Sequence, residues 1–380
     1  MSKKRDASVQ LIRVIACIIV VLVHSRPFSY TSMGYSFGRV LFSCLVADGV
    51  SIFLIITGFF FLKSNSFANV MKKGAIKVAL PATLLMVVCV LLSGWLEGKT
   101  TIVESLTQVK AADFLNILRA WISGDASVVT NCGHLWYVFM HMFVLLWFPL
   151  LKRFQSDEKK IRYEKWAIML IGVVYVIFNT WSDRLEWFQL ANVGQYKVIP
   201  AAVLLVLIGD EIYRNADRIK GNWIARVTSI VVFVVCNVIR TYDQLYEYEL
   251  TNADTVDRWD SIYGIICSTA LVVFVLSFKV KDNWFGKAVV YLAQFTFPIY
   301  LFHYVIICTL HNYTDSIQYT INNYFDAKEG TVIQYLCSVF ANALLVLIMS
   351  LILSMVVHYL KMLIVNTYHR LGKNNNGSKV

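Results

Sequence analysis

Two residues in one apolar stretch, Arg13 and His24, have side chains that could do chemistry. They lie in LIRVIACIIVVLVH, residues 11–24. An arginine at the centre of a membrane helix costs about 2.5–3.5 kcal/mol, and ionisable groups at such positions usually have a function. Eleven residues of α-helix make three full turns plus about 20°. The spacing therefore predicts that both side chains lie on one helix face, about 16 Å apart along the axis.

Both residues also have simpler explanations. Arg13 could extend its side chain to lipid phosphates at the cytoplasmic edge of the membrane, and His24 could lie near the outer interface. On spacing alone, the chemical and the interfacial interpretations are equally favoured.

Four later segments add polar side chains to apolar or basic surroundings. They are DGVSIFLIITGFF (48–60) with Asp48, KKGAIKVALP (72–81) with Lys73 and Lys77, HLWYVFMHMFVLLWFP (134–149) with His134 and Trp136, and FTFPIYLFH (295–303) with Tyr300 and His303. The last two residues are three positions apart and thus share a helix face, and Pro298 should kink the helix just before them.

In this order, these segments resemble the integral-membrane acyltransferase-3 family, which moves acyl groups onto extracytoplasmic acceptors. The family pattern has Arg-x10-His in the first span, then a Phe-rich span ending in Ser-Gly-Phe/Tyr and a basic loop. A His-Leu-Trp-Tyr/Phe start and a Ser-Tyr-x-Ile-Tyr-Leu-x-His segment follow. The resemblance covers roughly residues 8–360. The chain departs from the pattern at Gln10 (often Asp in the family), at Thr57 (Ser), and at Lys73 and Lys77, where the family has an Arg-x-x-Arg pair.

The resemblance implies catalytic roles for Arg13 and His24. Arg13 would bind a phosphate of cytoplasmic acetyl-CoA through a fork of hydrogen bonds, with Lys73 and Lys77 as further donor-phosphate contacts. His24, near the thioester, would deprotonate an acceptor hydroxyl or briefly carry the acyl group. Acetyl-CoA is a donor substrate here, and neither a metal nor a bound cofactor is expected.

The residues expected to bind substrate lie at predicted helix ends or near Pro298. They are Asp48, His134, Trp136, Tyr300 and His303. Structural roles, as helix-terminal charges, caps or interfacial side chains, stay open for each of them.

The composition is typical of a membrane protein. Hydrophobic residues make up 58% of the chain and charged residues 16%, against about 25% charged in soluble domains. Charges form short clusters between long apolar runs, which predicts an all-α integral membrane protein. Ten spans are predicted, at about 9–28, 42–62, 76–96, 133–151, 166–182, 197–213, 223–241, 261–278, 288–310 and 331–360. We expect one membrane domain over residues 1–365 and a disordered cytoplasmic tail over 366–380.

The distribution of lysine and arginine predicts that both termini are cytoplasmic. The 152–165 loop is rich in basic residues, whereas the 242–260 loop is acidic, and cytoplasmic loops carry the excess of positive charge. The segment 97–132 is then extracytoplasmic. This bias and attraction to anionic lipid explain the net charge of +11 without nucleic acid. The eight cysteines show no C-x-x-C spacing and are interpreted as packing residues.

The resemblance predicts a multi-pass enzyme of the plasma membrane that transfers an acetyl or other short acyl group to a hydroxyl. The expected acceptor is a cell-surface polysaccharide or glycolipid sugar, and the expected partners are the lipid bilayer, acyl-CoA and that glycan. The alternative is a transporter of a small polar solute such as serine. Transporters favour inverted repeats with Gly/Pro-broken helices in matching halves, and the five prolines show no such symmetry. A structural or sensor role would leave Arg13 and His24 unexplained.

Overall fold

The computed structural model describes residues 6–26, 36–156, 158–181, 198–251, 258–313, 317–325 and 330–376. Within these ranges the secondary structure is helical and contains no strand, which confirms the all-α class. The first ten α-helices are α1 Ala7–His24, α2 Phe37–Leu45, α3 Gly49–Phe61, α4 Phe67–Gly74, α5 Leu80–Leu91, α6 Ser93–Leu96, α7 Ile102–Gln108, α8 Ala111–Ser123, α9 Trp136–Leu146 and α10 Phe148–Arg153. The others are α11 Lys159–Thr180, α12 Ile199–Arg214, α13 Ala216–Ile219, α14 Trp223–Thr251, α15 Ile262–Leu276, α16 Trp284–Leu292, α17 Thr296–Asn312, α18 Ile317–Tyr324 and α19 Val332–Asn376.

Several helices of the described part are long and apolar enough to cross a membrane. By length and composition there are five, or up to six if a bent pair counts as one span. The five are Ala7–His24, Phe37–Phe61, Phe67–Leu91, Trp223–Leu250 and Val332–Val365. The segments Gly133–Leu146 and Ile262–Leu276 are apolar but shorter. The protein is thus a multi-pass membrane protein, while the count of ten spans and the location of the termini stay predictions.

Some predicted boundaries cannot be compared with the helices. Residues 27–28, 182 and 197 of the predicted spans, residues 252–257 of the acidic loop and residues 377–380 of the predicted tail lie outside the described residues. The division at residue 365 falls within α19, which continues to Asn376, and it stays a prediction.

The bend expected near Pro298 is a break between two helices. Helix α16 ends at Leu292, α17 begins at Thr296, and their axes differ by 56°. Pro298 lies in the first turn of α17. Backbone N–H groups in a first turn have no intrahelical acceptor, so the N–H that proline lacks is not needed there. The bend therefore precedes Tyr300, as predicted, although it lies before the proline.

Helix α3 packs very closely against α12. A Cβ atom on Gly58 would lie 2.1 Å from the carbonyl oxygen of Val206, and one on Gly209 would lie 2.1 Å from that of Ile55. Small residues let backbones approach in this way where membrane helices cross. The crossing fixes the position of α3, whose aromatic side chains line the cavity described below.

A buried charged network joins α11 to α12 at the predicted cytoplasmic side. The Lys165 ammonium donates to Asp210 at 2.9 Å and to Glu211 at 2.5 Å, and Arg214 donates to Asp210 at 3.0 Å. Gln155, in the basic loop, also donates to Asp210, at 3.1 Å. A buried charge needs such partners, so this network has a structural explanation.

Candidate active site

Three histidines from distant parts of the sequence meet in the interior. His24 ends α1, His134 lies in the 3-10 turn Gly133–Leu135 before α9, and His303 lies in α17. The ring centroids of His24 and His303 are 5.3 Å apart, and those of His134 and His303 are 5.2 Å apart. His303 is at the centre of this histidine cluster and is fully buried.

Backbone carbonyls of α17 determine which ring nitrogens carry hydrogen. Nδ1 of His303 lies 2.7 Å from the carbonyl oxygen of Tyr300, and Nε2 of His134 lies 3.1 Å from that of Leu301. A carbonyl oxygen only accepts, so these two nitrogens donate. In the neutral rings, His303 Nε2 and His134 Nδ1 are then acceptors. Both are buried and have no hydrogen-bond partner among the described residues.

Two tyrosines enclose the cluster. The Tyr300 hydroxyl donates to the backbone carbonyl of His134, which holds α17 against the start of α9. The Tyr304 ring lies edge-on to His24, with centroids 5.2 Å apart, and 5.1 Å from the ring of His134. Tyr304 was not among the site residues predicted from the sequence. Its position four residues after Tyr300, on the same helix face, is the signal that could have found it.

A cavity of about 500 Å³ lies beside the histidine cluster. Three cationic residues are part of its lining, Arg13, Lys73 and Lys77. The remaining lining is mainly aromatic and aliphatic, and includes Phe53, Ile56, Phe60, Phe61, Tyr137, His141, Leu145, Phe297 and Tyr300. The structure thus brings to one cavity the three cations to which the family resemblance gives donor-phosphate contacts.

Tyr300 belongs to both the cavity and the cluster. It lines the cavity, and its ring centroid is 5.7 Å from that of His303. Among the described residues, His24 does not line this cavity. Arg13 and His24 are joined by one uninterrupted helix, as predicted, with Arg13 at the cavity and His24 in the cluster. Arg13 also donates to Gln10 Oε1, at 3.3 Å.

A π-helical turn positions the two lysines. Residues Ala75–Ala79 form this turn between α4 and α5, so Lys77 lies within it and Lys73 lies just before it. Such turns frequently occur at functional sites. Gly74 permits a close approach to α9, because a Cβ atom there would lie 2.5 Å from Cδ1 of Leu145. The lysines were predicted from the sequence, whereas the π-helical turn was not.

Two predicted substrate-binding residues contact side chains outside the cavity. The buried Asp48 carboxylate accepts hydrogen bonds from Nη1 of Arg240, at 3.0 and 3.1 Å. The Trp136 ring stacks on Trp259, with centroids 5.7 Å apart and an interplanar angle of 18°. Neither residue lines the cavity. These contacts give Asp48 and Trp136 structural explanations, and their role in binding substrate stays a prediction.

The meeting of three histidines raises the question of a metal site. Within the described residues, no group of three or more His, Cys, Asp or Glu side chains could hold a metal ion. All eight cysteines are free thiols.

Comparison with protein families decides the class. The family model described as an acyltransferase domain matches residues 6–359, nearly the whole chain. The chain belongs to the acyltransferase-3 family. Searches of curated proteins and of solved structures found no match. This acyltransferase is therefore a membrane enzyme whose predicted donor-phosphate residues line one cavity beside a buried histidine cluster.

Proposed function

We propose that this acyltransferase moves an acetyl or other short acyl group from cytoplasmic acyl-CoA to a hydroxyl of an extracytoplasmic acceptor. A sugar of a cell-surface polysaccharide or glycolipid is the acceptor that fits this sidedness. One observation carries the proposal. The cavity has three cations on its wall, Arg13, Lys73 and Lys77, and also contains Tyr300, which contacts the histidine cluster.

The positive charge and the apolar surface of the cavity suit an acyl-CoA donor. A guanidinium group binds phosphate oxygens through two parallel hydrogen bonds, and the lysines add positive charge. Both lysines are exposed, as a site that admits a soluble donor requires. Phe53, Phe60 and Phe61 provide apolar wall for the pantetheine arm. The volume, about 500 Å³, lies in the range of small-molecule sites.

The transfer requires a group that removes a proton and a group that returns one. The hydroxyl oxygen of the substrate that receives the acyl group forms a bond to the thioester carbonyl carbon, and the bond from that carbon to sulfur breaks. His24 takes the proton of the attacking hydroxyl and returns it to the leaving thiolate, which gives free CoA. If His24 instead carries the acyl group, its ring nitrogen attacks first, and the acceptor hydroxyl then cleaves the acyl-imidazole. Tyr300 lines the cavity and contacts His303, which in turn contacts His24.

The predicted sidedness is supported by contacts between helix ends. Lys220, which precedes α14, donates to Asp6 at the start of α1, at 2.6 Å, and both ends are predicted to be cytoplasmic. Asn312, at the end of α17, donates to the carbonyl of Leu96 at 3.0 Å, and both are predicted to be outside. The proposal requires this arrangement, since donor and acceptor approach from opposite sides.

The test is acyl transfer in isolated membranes. Inside-out vesicles receive acetyl-CoA labelled in the acetyl group, and label in extracted glycans is measured for the wild type and His24→Ala. Uptake of labelled serine is measured in parallel. Label in glycans that disappears in the variant supports the proposal. Serine uptake without glycan labelling would favour a transporter and contradict it.

A further inference from the structure

The segment 97–132, which is predicted from the sequence to be extracytoplasmic, contains the helices α7 and α8. Helix α7 is anchored at the end of α5. Ser105 Oγ donates to the carbonyl of Leu91 at 3.2 Å and accepts from the backbone N–H of Gly94 at 3.1 Å. Helix α7 therefore lies level with the predicted outer end of the α5 span.

Helix α8 is anchored near the beginning of α5, away from the end that contacts α7. Nε1 of Trp121 donates to Oγ1 of Thr83 at 3.2 Å, and the Trp121 ring lies 4.5 Å from that of Phe139 in α9. Thr83 precedes Leu91 by eight residues, which corresponds to about 12 Å along a helix. The end of α8 thus lies beside the interior of a candidate membrane span.

The contact made by His134 gives an independent measure of depth. His134, which follows this segment, contacts the carbonyl of Leu301. Leu301 precedes Asn312 by eleven residues of α17, about 16 Å of helix. Asn312 lies level with Leu96, to whose carbonyl it donates. The chain from α7 to His134 therefore descends from the end of the spans to the depth of the histidine cluster.

The surface of α8 has three sectors. Ile117 and Ala120 are buried against the protein. An exposed apolar stripe, about 100° wide at 100° per residue, is formed by Phe114, Leu115, Leu118 and Ile122. Exposed polar residues, among them Arg119, flank the stripe on its other side.

The stripe has the character of a lipid-facing surface. Leu118 is 57% exposed and Ile122 70% exposed. Helix α5, which contacts α8, exposes Leu84 and Val88 to 56% and 47%. These two residues lie in the candidate span Phe67–Leu91. The stripe therefore lies beside an apolar surface that the bilayer covers, and a helix with one apolar and one polar side is suited to the lipid boundary.

We propose that residues 101–133 form a re-entrant element that dips into the outer leaflet, with the α8 stripe against lipid acyl chains. The element returns the chain to the membrane interior at the depth where His134 joins the histidine cluster. This inference rests on the contacts and exposure of α7 and α8 and does not depend on the reaction catalysed.

The experiment measures membrane depth in the full-length enzyme. Leu118→Cys and Ile122→Cys report on the stripe, and Gln108→Cys, exposed at the end of α7, is the matched control. Each is made with Cys337→Ser, because Cys337 is the exposed native cysteine within the described residues. The variants carry a bimane label in phosphatidylcholine nanodiscs, and quenching is measured with nitroxide-labelled lipid and with aqueous iodide.

Leu118 and Ile122 labels are expected to emit at shorter wavelength and to be quenched several-fold more by lipid nitroxide than the Gln108 label. The Gln108 label should be quenched mainly by iodide. Stripe labels that iodide quenches as strongly as the control would overturn the proposal, because the helix would then lie in water. Protection from both quenchers would also overturn it, since a protein surface would then cover the stripe. The Leu118→Cys protein must elute as a single species, and Ile122→Cys provides a second position for the same comparison.

Discussion

His24 contacts His303 and Tyr304 at the end of α1, so its replacement removes one ring of the histidine cluster. We expect His24→Ala to lower acyl transfer by about 10²–10⁴-fold, the usual contribution of a general base. Membrane insertion should be unchanged, because the substitution removes a polar group from an apolar span. Labelled acetyl transfer and the amount of protein in the membrane are measured together. His311→Ala, at the far end of α17, is the control, and normal transfer in His24→Ala would exclude the mechanism.

The roles of the two ring nitrogens of His303 can be tested separately by substitution. In His303→Asn the amide N–H can replace Nδ1 and still donate to the Tyr300 carbonyl, but nothing replaces Nε2. In His303→Gln the amide reaches the position of Nε2 without its basicity. We expect both variants to lower kcat about tenfold or more, with little change in the KM for acyl-CoA, since a hydrogen-bond partner near the reacting groups is worth about 1–3 kcal/mol.

A purely structural role for His303 predicts a different pattern. His303→Asn, which retains the bond to Tyr300, would then have near-normal kcat, and only His303→Gln would be impaired. Steady-state kinetics of both variants with saturating acceptor distinguish the two cases.

Arg13 lines the cavity, and a lysine there would keep the charge and lose the planar fork. We expect Arg13→Lys to raise the KM for acyl-CoA about tenfold, with a smaller effect on kcat, because it weakens ground-state binding of the phosphate. The KM is measured with acyl-CoA and with a donor that lacks the nucleotide phosphates. Unchanged kinetics would indicate that Arg13 only contacts lipid.

At the scale of secondary-structure elements, the crossing of α3 and α12 is a contact that tolerates little added volume. An added methyl group at Gly58 or Gly209 would meet a backbone carbonyl at 2.1 Å, and a backbone cannot move aside as a flexible side chain can. Overpacking of this kind typically costs about 1–3 kcal/mol. We expect Gly58→Ala and Gly209→Ala each to lower the thermal unfolding midpoint in detergent.

The control for this crossing is Gly172→Ala in α11, which also faces α12. A Cβ atom there would lie 3.3 Å from Cβ of Leu204, a distance that a shift of a few tenths of an ångström between the helices can relieve. An equal loss of stability in all three variants would contradict the prediction, because the close backbone approach at the crossing would then have no effect of its own.

For the whole molecule, the testable property is which side each loop faces. Lys160→Cys in the basic region and Glu249→Cys near the end of α14 are both at exposed positions. In intact cells we expect a membrane-impermeant maleimide to label Glu249→Cys and not Lys160→Cys, because cytoplasmic loops carry the excess of positive charge. Inside-out vesicles should reverse the pattern. Labelling of both positions from one side would refute the ten-span arrangement and the sidedness of the proposed reaction.

The sequence by itself determined the properties that depend on local geometry and composition. The apolar runs predict membrane helices, and the eleven-residue spacing of Arg13 and His24 predicts one helix that carries both, because the rise and rotation of a helix are constant. The same reasoning predicts the shared face of Tyr300 and His303. The family pattern in those segments was sufficient to predict the acyltransferase class.

Only the tertiary structure decided which helix faces meet. His24, His134 and His303 are separated by more than a hundred residues, as are Asp48 and Arg240, yet each set is in contact. In water, an apolar stripe marks the face of a helix that packs inward. A membrane helix is apolar on all sides, since lipid and protein interior favour the same side chains. Its packing depends on close approach at small residues such as Gly58 and on buried polar pairs, so the histidine cluster and the cation-lined cavity exist only once the helices have packed.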